Sequence, residues 1–434
     1  MALMKLEEIR AAESRLLLST YDRSPVLFVG GEGMHLIDEQ GQRYLDLLSG
    51  IGVNALGYGH AAIVDTIARQ SRALIHISNL YYHEGQAELA LRLTERTGMD
   101  RVFFSNSGTE ACEGALKLAR AYAGLRRSEG ARIGTKILAL EQSFHGRTYG
   151  AVSATHKAKY REPFAPVVPG VEFVRFNDVA DLRAKFSDEV CAILVEAIQG
   201  EGGVRPLAQE FFAEARALTS STGALLIVDE IQSGMGRTGK WCAYQHYGTQ
   251  PGAPADGSSS VGWKPDVTTL AKPLAGGLPL GAVLCTEEAA RAIHAGMHGT
   301  TFGGGPLACA VAVAVIDAIE KEGLLAHAAE MGDYFQSRLR ELAARHDAIV
   351  DVRGKGLMVA AELDSAELGK TIVSEMLKRR ILINCTSETV LRFLPPYVVQ
   401  KKDIDTAIAA LDEILTQYAT ASAAAPSQGG EVHA

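Results

Sequence analysis

From residue 101 to about 290, short apolar runs alternate with longer stretches whose apolar positions recur at helical spacing. The runs are RVFFS (101–105), KILAL (136–140), VEFVRF (171–176), CAILVEAI (191–198), ALLIVDE (224–230), VTTLA (267–271) and GAVLCT (281–286). They are continuous rather than alternating, the pattern of strands covered on both faces. Strands interleaved with helices need crossover connections, which predicts an α/β fold around a mostly parallel central sheet. Ligands in such sheets gather beyond the carboxyl ends of the strands.

The flanks read differently. Residues 20 to 50 suggest short strands, with a hairpin turn at DEQGQ, 38 to 42. A helix is predicted over 61–75, with Ile63, Val64, Ile67, Ala68 and Leu74 on one face, and another over 86–97. Beyond about 320, a helix carries Met331, Tyr334, Phe335, Leu339 and Leu342 at helical spacing. The strand-like pieces GLMVAAEL and TVLRFL follow, then a last helix with Ile404, Ile408, Leu411, Leu415 and Tyr418. These pieces predict a smaller α+β domain. GTQPGAPADGSSSVGW, 248 to 263, reads as a surface loop. The tail from about 420 has too little apolar mass to pack and is expected to be disordered.

Composition narrows the function classes. The 434 residues include 51 acidic and 43 basic side chains, a net charge of −8, which disfavours a nucleic-acid or anionic-membrane binder. None of the six cysteines falls in a C-x-x-C pair, so neither a disulfide framework nor a zinc site is expected, and a reducing cytosol fits. The first residues lack the apolar core and cleavage site of a signal peptide, and no apolar run is long enough to span a bilayer.

The candidate chemistry sits at three strand ends. VTTLA runs into Lys272, followed by Gly276 and Gly277. ALLIV ends in Asp229. RVFFS runs into SNSGTEACEGALKLAR, where Ser107 and Glu110 have capping-box spacing, Gly108 permits close backbone approach, and Ser107 and Thr109 add hydroxyls. A buried amine, a buried carboxylate and a helix start suit pyridoxal 5′-phosphate, which needs a lysine for its aldehyde, an acid for its ring nitrogen and an anion site for its phosphate. Ile231 is placed to pack on one ring face and Gln232 to bond the ring's phenolic oxygen. The bland alternatives are a capped helix, a structural acid and a snorkelling lysine. Lys240 and Lys264 are rival lysines in polar, loop-like surroundings. Neither G-x-G-x-x-G nor a Walker lysine follows the first strand, which argues against a nucleotide-binding protein.

Three further segments carry charge or aromaticity in otherwise apolar or glycine-rich settings. Phe144 and Arg147 follow the KILAL strand, as a ring-stacking aromatic with a carboxylate fork, or as a core aromatic with a surface arginine. Glu196 and Glu201 bracket a glycine turn. Arg392 interrupts VLRFL, and a half-buried arginine needs an anion, either a structural carboxylate or that of a substrate.

Jointly, SNSGTEA, SFHGRT, VEAIQGEGGV, VDEIQSGMGRTGK, LAKPLAGGLPLGA and HGTTFGGGPLACA resemble the class III aminotransferases of the fold-type-I pyridoxal phosphate family, from about residue 20 to 418. SGIGVNALGYGH and HISNLYYHEGQ are similar to the acetylornithine branch. The resemblance implies a large cofactor domain over 61–324 and a smaller domain assembled from both chain ends, 1–60 and 325–419. It implies that Lys272 links the cofactor and that Asp229 pairs with the pyridine nitrogen. Ser107, Gly108 and Thr109 would hold the phosphate, and Phe144 would stack on the ring. Thr301 would reach the phosphate of a neighbouring subunit, so an obligate homodimer is implied. Arg147 would bind the α-carboxylate of a long diamino substrate. Arg392 would bind that of glutamate, with Glu201 pairing Arg392 when glutamate is absent. The implied reaction moves the ω-amine of an acylated basic amino acid, N-acetylornithine, to 2-oxoglutarate in arginine biosynthesis. Other ω-amino donors of the class are the alternatives. No metal is implied. Pro273, Gly305 and the 248–263 loop depart from the family's usual pattern. Gly50 stands where ornithine-specific members carry a tyrosine, which leaves room for an acylated amine.

Overall fold

The computed structural model describes residues 4–247 and 264–424. The 248–263 loop and the tail beyond 424 lie outside the described residues. The seven apolar runs form one sheet, in the order Arg101–Ser105, Gly281–Cys285, Val267–Leu270, Leu225–Asp229, Val190–Glu196, Lys136–Leu140, Val171–Val174. Six strands share a direction, and Gly281–Cys285 runs against both its neighbours. The reason is chain length. Ten residues separate Leu270 from Gly281, too few for the helical crossover that a parallel partner requires. That short return link contains Lys272.

The continuous apolar texture follows from burial on both faces. Ile137, Ala139, Ala192, Leu194 and Ile227 pack with Ala111, Ala115 and Ala119 of the helix Gly108–Ser128. Leu138, Leu140, Ile193, Val195, Leu226 and Val228 point the other way, into a core with Leu89, Leu93, Phe211 and Phe212. The run CAILVEAI does not stay in one strand. The sheet strand ends at Glu196, and Ile198–Gln199 leaves it to pair with Arg205–Pro206. That break turns Glu196 and Glu201 toward the ends of the neighbouring strands.

A third cluster joins Met34, Leu45, Leu47 and Leu56 to Phe335, Leu363, Phe393 and Leu411. Two sheets lie over it. One contains Phe28–Glu32, His35–Asp38, Arg43–Asp46 and the late strand Ile381–Leu382. The other is antiparallel: Ile349–Lys355, Met358–Leu363, Val390–Phe393, Asn384–Thr386.

Two expectations need correction. In the helix Ala61–Ala73 only Thr66 is buried; Val64 is 50% exposed, and Leu74, just beyond its end, 39%. Ile63 and Ile67 pack on the third cluster, but the apolar stripe is wider than that contact covers. The last helix, Lys401–Ala424, continues past the expected boundary at 420.

Gly332, inside the helix Leu324–Ala343, shows how closely that helix meets the sheet. A Cβ there would lie 2.1 Å from the carbonyl oxygen of Gly356, which turns the chain between Ile349–Lys355 and Met358–Leu363 with φ +51°. Alanine in a helix normally gains about 1 kcal/mol over glycine. At Gly332 the backbone clash opposes it, and overpacking of this kind costs about 1–3 kcal/mol. Gly332→Ala is therefore expected to lower the midpoint of chemical denaturation; an unchanged or raised midpoint contradicts this close approach.

Candidate active site

The site is built where strands Arg101–Ser105, Leu225–Asp229 and Val267–Leu270 end. Ser107 caps the helix Gly108–Ser128, its Oγ accepting from the Glu110 amide at 3.3 Å. The expected reciprocal bond is displaced by one residue: the Glu110 carboxylate accepts from the Asn106 amide at 2.6 Å and from Asn106 Nδ2 at 2.9 Å. The first amides of a helix have no acceptor within it, and Gly108 and Thr109 line the cavity at this positive helix end. Gly108 is also required by packing, since a Cβ would come within 2.8 Å of Ile231 Cγ2. Thr109 Oγ1 ties in the next loop, accepting from the amides of Arg147 and Thr148 at 3.2 Å each.

Asp229 is 4% exposed and its carboxylate accepts four hydrogen bonds. Oδ1 takes the Ile231 amide at 3.0 Å and the Thr269 hydroxyl at 3.1 Å. Oδ2 lies 2.8 Å from His145 Nδ1 and accepts from the Cys112 thiol at 3.3 Å. Burial pushes the Asp229 pKa up, but the bond and charge of His145, the Ile231 amide and the Cys112 thiol together hold it below the ordinary value. His145 Nε2, also buried, has no partner among the described residues. Cys112, His145 and Asp229 bring three ligand-type atoms within 4.8 Å of one another. Cysteine spacing did not reveal this group, and its contacts, as described, are the hydrogen bonds to Asp229.

Lys272 begins a tight turn, Lys272–Ala275, closed by Gly276 with φ 56°. Its amine faces the cavity, and Nζ makes no hydrogen bond among the described residues. Burial pulls the amine down to about 8; the Glu201 carboxylate opposes the fall and the Arg392 charge adds to it. The rival lysines lie elsewhere: Lys240 donates to the Gln245 carbonyl, and Lys264 to that of Gly98.

Arg392 is fully buried on the strand Val390–Phe393, not half-buried as its sequence suggested. Its Nη1 donates to Glu201 Oε1 at 2.6 Å and to Gln232 Oε1 at 3.1 Å, and Nε donates to Asn384 Oδ1 at 3.2 Å. Nη2 is buried with no partner among the described residues. Burial raises the Glu201 pKa, but the Arg392 and Lys272 charges bring it below the ordinary value. Gln232 is thus engaged by Arg392 in this structure. Glu196, buried beside Asp229, accepts from the amides of Phe144 at 3.0 Å and Gly200 at 2.9 Å. Burial pushes it up to about 7. Arg147 is exposed at the rim, its guanidinium 3.7 Å from the Tyr160 ring centre and 5.6 Å from that of Phe144.

A cavity of about 410 Å³ brings together Ser107, Gly108, Thr109, Phe144, Arg147, Glu201, Asp229, Ile231, Gln232 and Lys272. Arg392 closes one side through Glu201 and Gln232. Thr301 does not line it; the residue is exposed on the loop 298–305. Gly50 does not line it either. The segment contributes Val53, while Gly50 takes φ 64° beside Asn54. Sequence reasoning passed over His145, Cys112 and Thr269 as partners of Asp229 and gave Glu196 no role. His145 lies inside SFHGRT, but nothing local to it signals a contact with Asp229.

Known proteins resemble this chain over most of its length. Residues 19–415 match the family model "Aminotransferase class-III". The acetylornithine aminotransferase of Methanocaldococcus jannaschii is 45% identical over 405 residues, 93% of this chain and 97% of that protein. That of Aquifex aeolicus is 44% identical over 400 residues, 92% and 99% of the two chains. The crystal structure of ornithine aminotransferase from Toxoplasma gondii superposes with a TM-score of 0.87 at 30% identity, covering 96% of this chain and 97% of that one. The cofactor of the family is pyridoxal 5′-phosphate, and the residues present fit it: an amine without a hydrogen bond, a carboxylate held anionic and a capped helix start share one cavity. This chain belongs to the class-III aminotransferases, pyridoxal-phosphate transaminases of fold type I.

Proposed function

We propose that the protein transfers the ω-amino group of N-acetylornithine to 2-oxoglutarate, giving the semialdehyde and glutamate. The observation that carries this reading is the fully buried Arg392, with Nη2 unpartnered among the described residues and Nη1 on Glu201 and Gln232, which line a cavity that also holds a second cation, Arg147. Two cations at different depths suit two substrates whose α-carboxylates lie at different distances from the reacting amine. The acetylornithine aminotransferases among the relatives support the choice of donor.

When bound, pyridoxal 5′-phosphate supplies an aldehyde for the amine and a protonated ring that accepts electrons. Each residue has a task around it. Ser107, Gly108 and Thr109 hold the phosphate with the helix start. Asp229, kept anionic by its four donors, pairs with the ring nitrogen. Phe144 and Ile231, which both line the cavity, would pack on the ring. Gln232, which accepts from Arg392, would also bond the ring oxygen. Lys272 would carry the cofactor through Nζ, and the same amine, when free, would move the proton at the carbon bearing the donor amine. Glu201 neutralises Arg392 while the ω-amino donor is bound to Arg147, and releases it for 2-oxoglutarate or glutamate.

The reading includes a homodimer in which Thr301 completes the partner's phosphate site. Its loop is tied to Asn79, whose Nδ2 donates to the carbonyls of Thr300 and Gly303, both at 3.1 Å. Beside it Leu80, Tyr81, Tyr82 and Phe302 are 86%, 66%, 104% and 67% exposed, an apolar surface of the kind subunits bury. The free cysteines accord with a cytosolic enzyme, and no helix among the described residues is long and apolar enough to cross a membrane.

Three outcomes test the reading. With 2-oxoglutarate as acceptor, N-acetylornithine should give the highest kcat/KM in a panel with ornithine, succinylornithine and 4-aminobutyrate; a tenfold preference for any other donor overturns the assignment. Arg392→Ala should slow single turnover with glutamate by about 10- to 1,000-fold and affect N-acetylornithine far less. In the cofactor-free protein, carbamylation of Lys272 by cyanate, followed by peptide mass, should inflect near pH 8, where the amine loses its proton. An ordinary lysine reacts through an inflection near 10.4, and that result would remove the environment assigned to Lys272. The dimer has its own check: on dilution, cofactor release and dissociation should coincide, and a monomer holding cofactor with undiminished affinity speaks against Thr301 as a shared ligand.

A further inference from the structure

The Glu201 turn is gripped from the smaller antiparallel sheet at several points. The Glu201 carbonyl accepts from Thr386 Oγ1 at 2.9 Å and from Ser387 Oγ at 3.1 Å. Two residues on, the Gly203 carbonyl accepts from Arg353 Nη2 at 2.7 Å and Nε at 3.0 Å, and that of Val204 from Nε at 3.2 Å. Arg353 is itself braced by Asp351 and Glu362. From the large-domain side, Glu196 holds the Gly200 amide at 2.9 Å, and Lys157 Nζ lies 3.4 Å from the Glu201 carbonyl.

The gripped backbone is not one the chain adopts freely. Gly203 takes φ +104° and Val204 φ +50°, a left-handed conformation that a β-branched residue disfavours. Such a conformation persists only where its surroundings over-determine it. Three of the four residues at 200–203 are glycines, so the turn has other conformations to relax into.

The source of the hydroxyls matters as much as their number. Thr386 ends the strand Asn384–Thr386, and Ser387 and Glu388, with φ 48° and 70°, turn the chain into Val390–Phe393. That second strand carries Arg392, paired across the hairpin with Asn384. One hairpin therefore supplies the arginine and fixes the backbone of the carboxylate that neutralises it.

We propose that Thr386 and Ser387 are specificity-determining positioning residues, whose hydroxyls lock the Glu201 backbone to the hairpin bearing Arg392, so that a substrate α-carboxylate gains Arg392 only by rotation of the Glu201 side chain. The inference rests on the reading of Glu201 and Arg392 as alternating partners. With the hydroxyls gone, the glycine turn relaxes, the pair weakens and Arg392 is easier to capture.

The test uses glutarate, a dicarboxylate without an amine, with binding measured by calorimetry on the holoenzyme and on the cofactor-free protein. Thr386→Val combined with Ser387→Ala should tighten glutarate binding about 3- to 10-fold, the factor set by one net hydrogen bond. Single-turnover rates with glutamate should rise against those with the ω-amino donor by a similar factor. Thr386→Ser, which keeps a hydroxyl, should behave as the unmodified protein. If the double variant does not fold, Ser387→Ala alone, at a partly exposed turn position, should move both readouts the same way by a smaller factor. Unchanged glutarate affinity, or equal slowing of both donors, overturns the proposal. Glu201→Ala separates the two levels. If it tightens glutarate while the hydroxyl variants do not, only the lock is wrong; if it too has no effect, the alternating-partner reading fails with it.

Discussion

A carboxylate buried at the end of the strand Leu225–Asp229 has to be satisfied without water, and much of the site follows from how Asp229 meets that requirement. Its four donors come from four places: the helix after Arg101–Ser105, the loop after Lys136–Leu140, the strand Val267–Leu270 and the turn following Asp229 itself. Unpaired, such a group would protonate or cost several kcal/mol. Paired four times, it remains an anion and pins together the strand ends around the cavity. The Asp229 bonds therefore help to set where Ser107, Phe144, Ile231 and Lys272 stand relative to one another.

The short link between Val267–Leu270 and Gly281–Cys285 is the second constraint. It forces an antiparallel strand into a sheet that is otherwise parallel. It also leaves Lys272 at the start of a single 3₁₀ turn rather than on an α-helix. An amine held there is poorly hydrated, which is why its pKa falls to about 8. The lysine is thus poised by backbone geometry, and the nearby Glu201 and Arg392 charges act on it in opposite senses.

Around that rigid floor, the wall formed by Arg392 and Glu201 is assembled from both parts of the molecule. Arg392 belongs to the smaller antiparallel sheet and Glu201 to the segment leaving the central sheet. An ion pair of this kind contributes little as a stabilising element, since two charges have been taken out of water. In the function proposed, its value is that it can be exchanged, because a substrate carboxylate would replace Glu201 at no change in charge.

The sequence by itself determined the strands of the central sheet, the α/β fold class and most of the residues that gather in the cavity. Residues buried on both sheet faces leave continuous apolar runs, and Lys272, Asp229 and Ser107 interrupt those runs where a strand ends. Motif order then gave the family, because the residues around each strand end are local in the chain. What only the tertiary structure decided are contacts between residues far apart in sequence. His145 and Cys112 meet Asp229 across the sheet. Thr386 and Ser387 reach the Glu201 carbonyl across 185 and 186 positions. Arg392 proved fully buried, and the stripe containing Val64 proved partly exposed, because burial depends on which neighbour arrives. Periodicity records that a face is apolar; the partner that covers it, and the donor that satisfies a buried charge, are fixed only when distant segments pack.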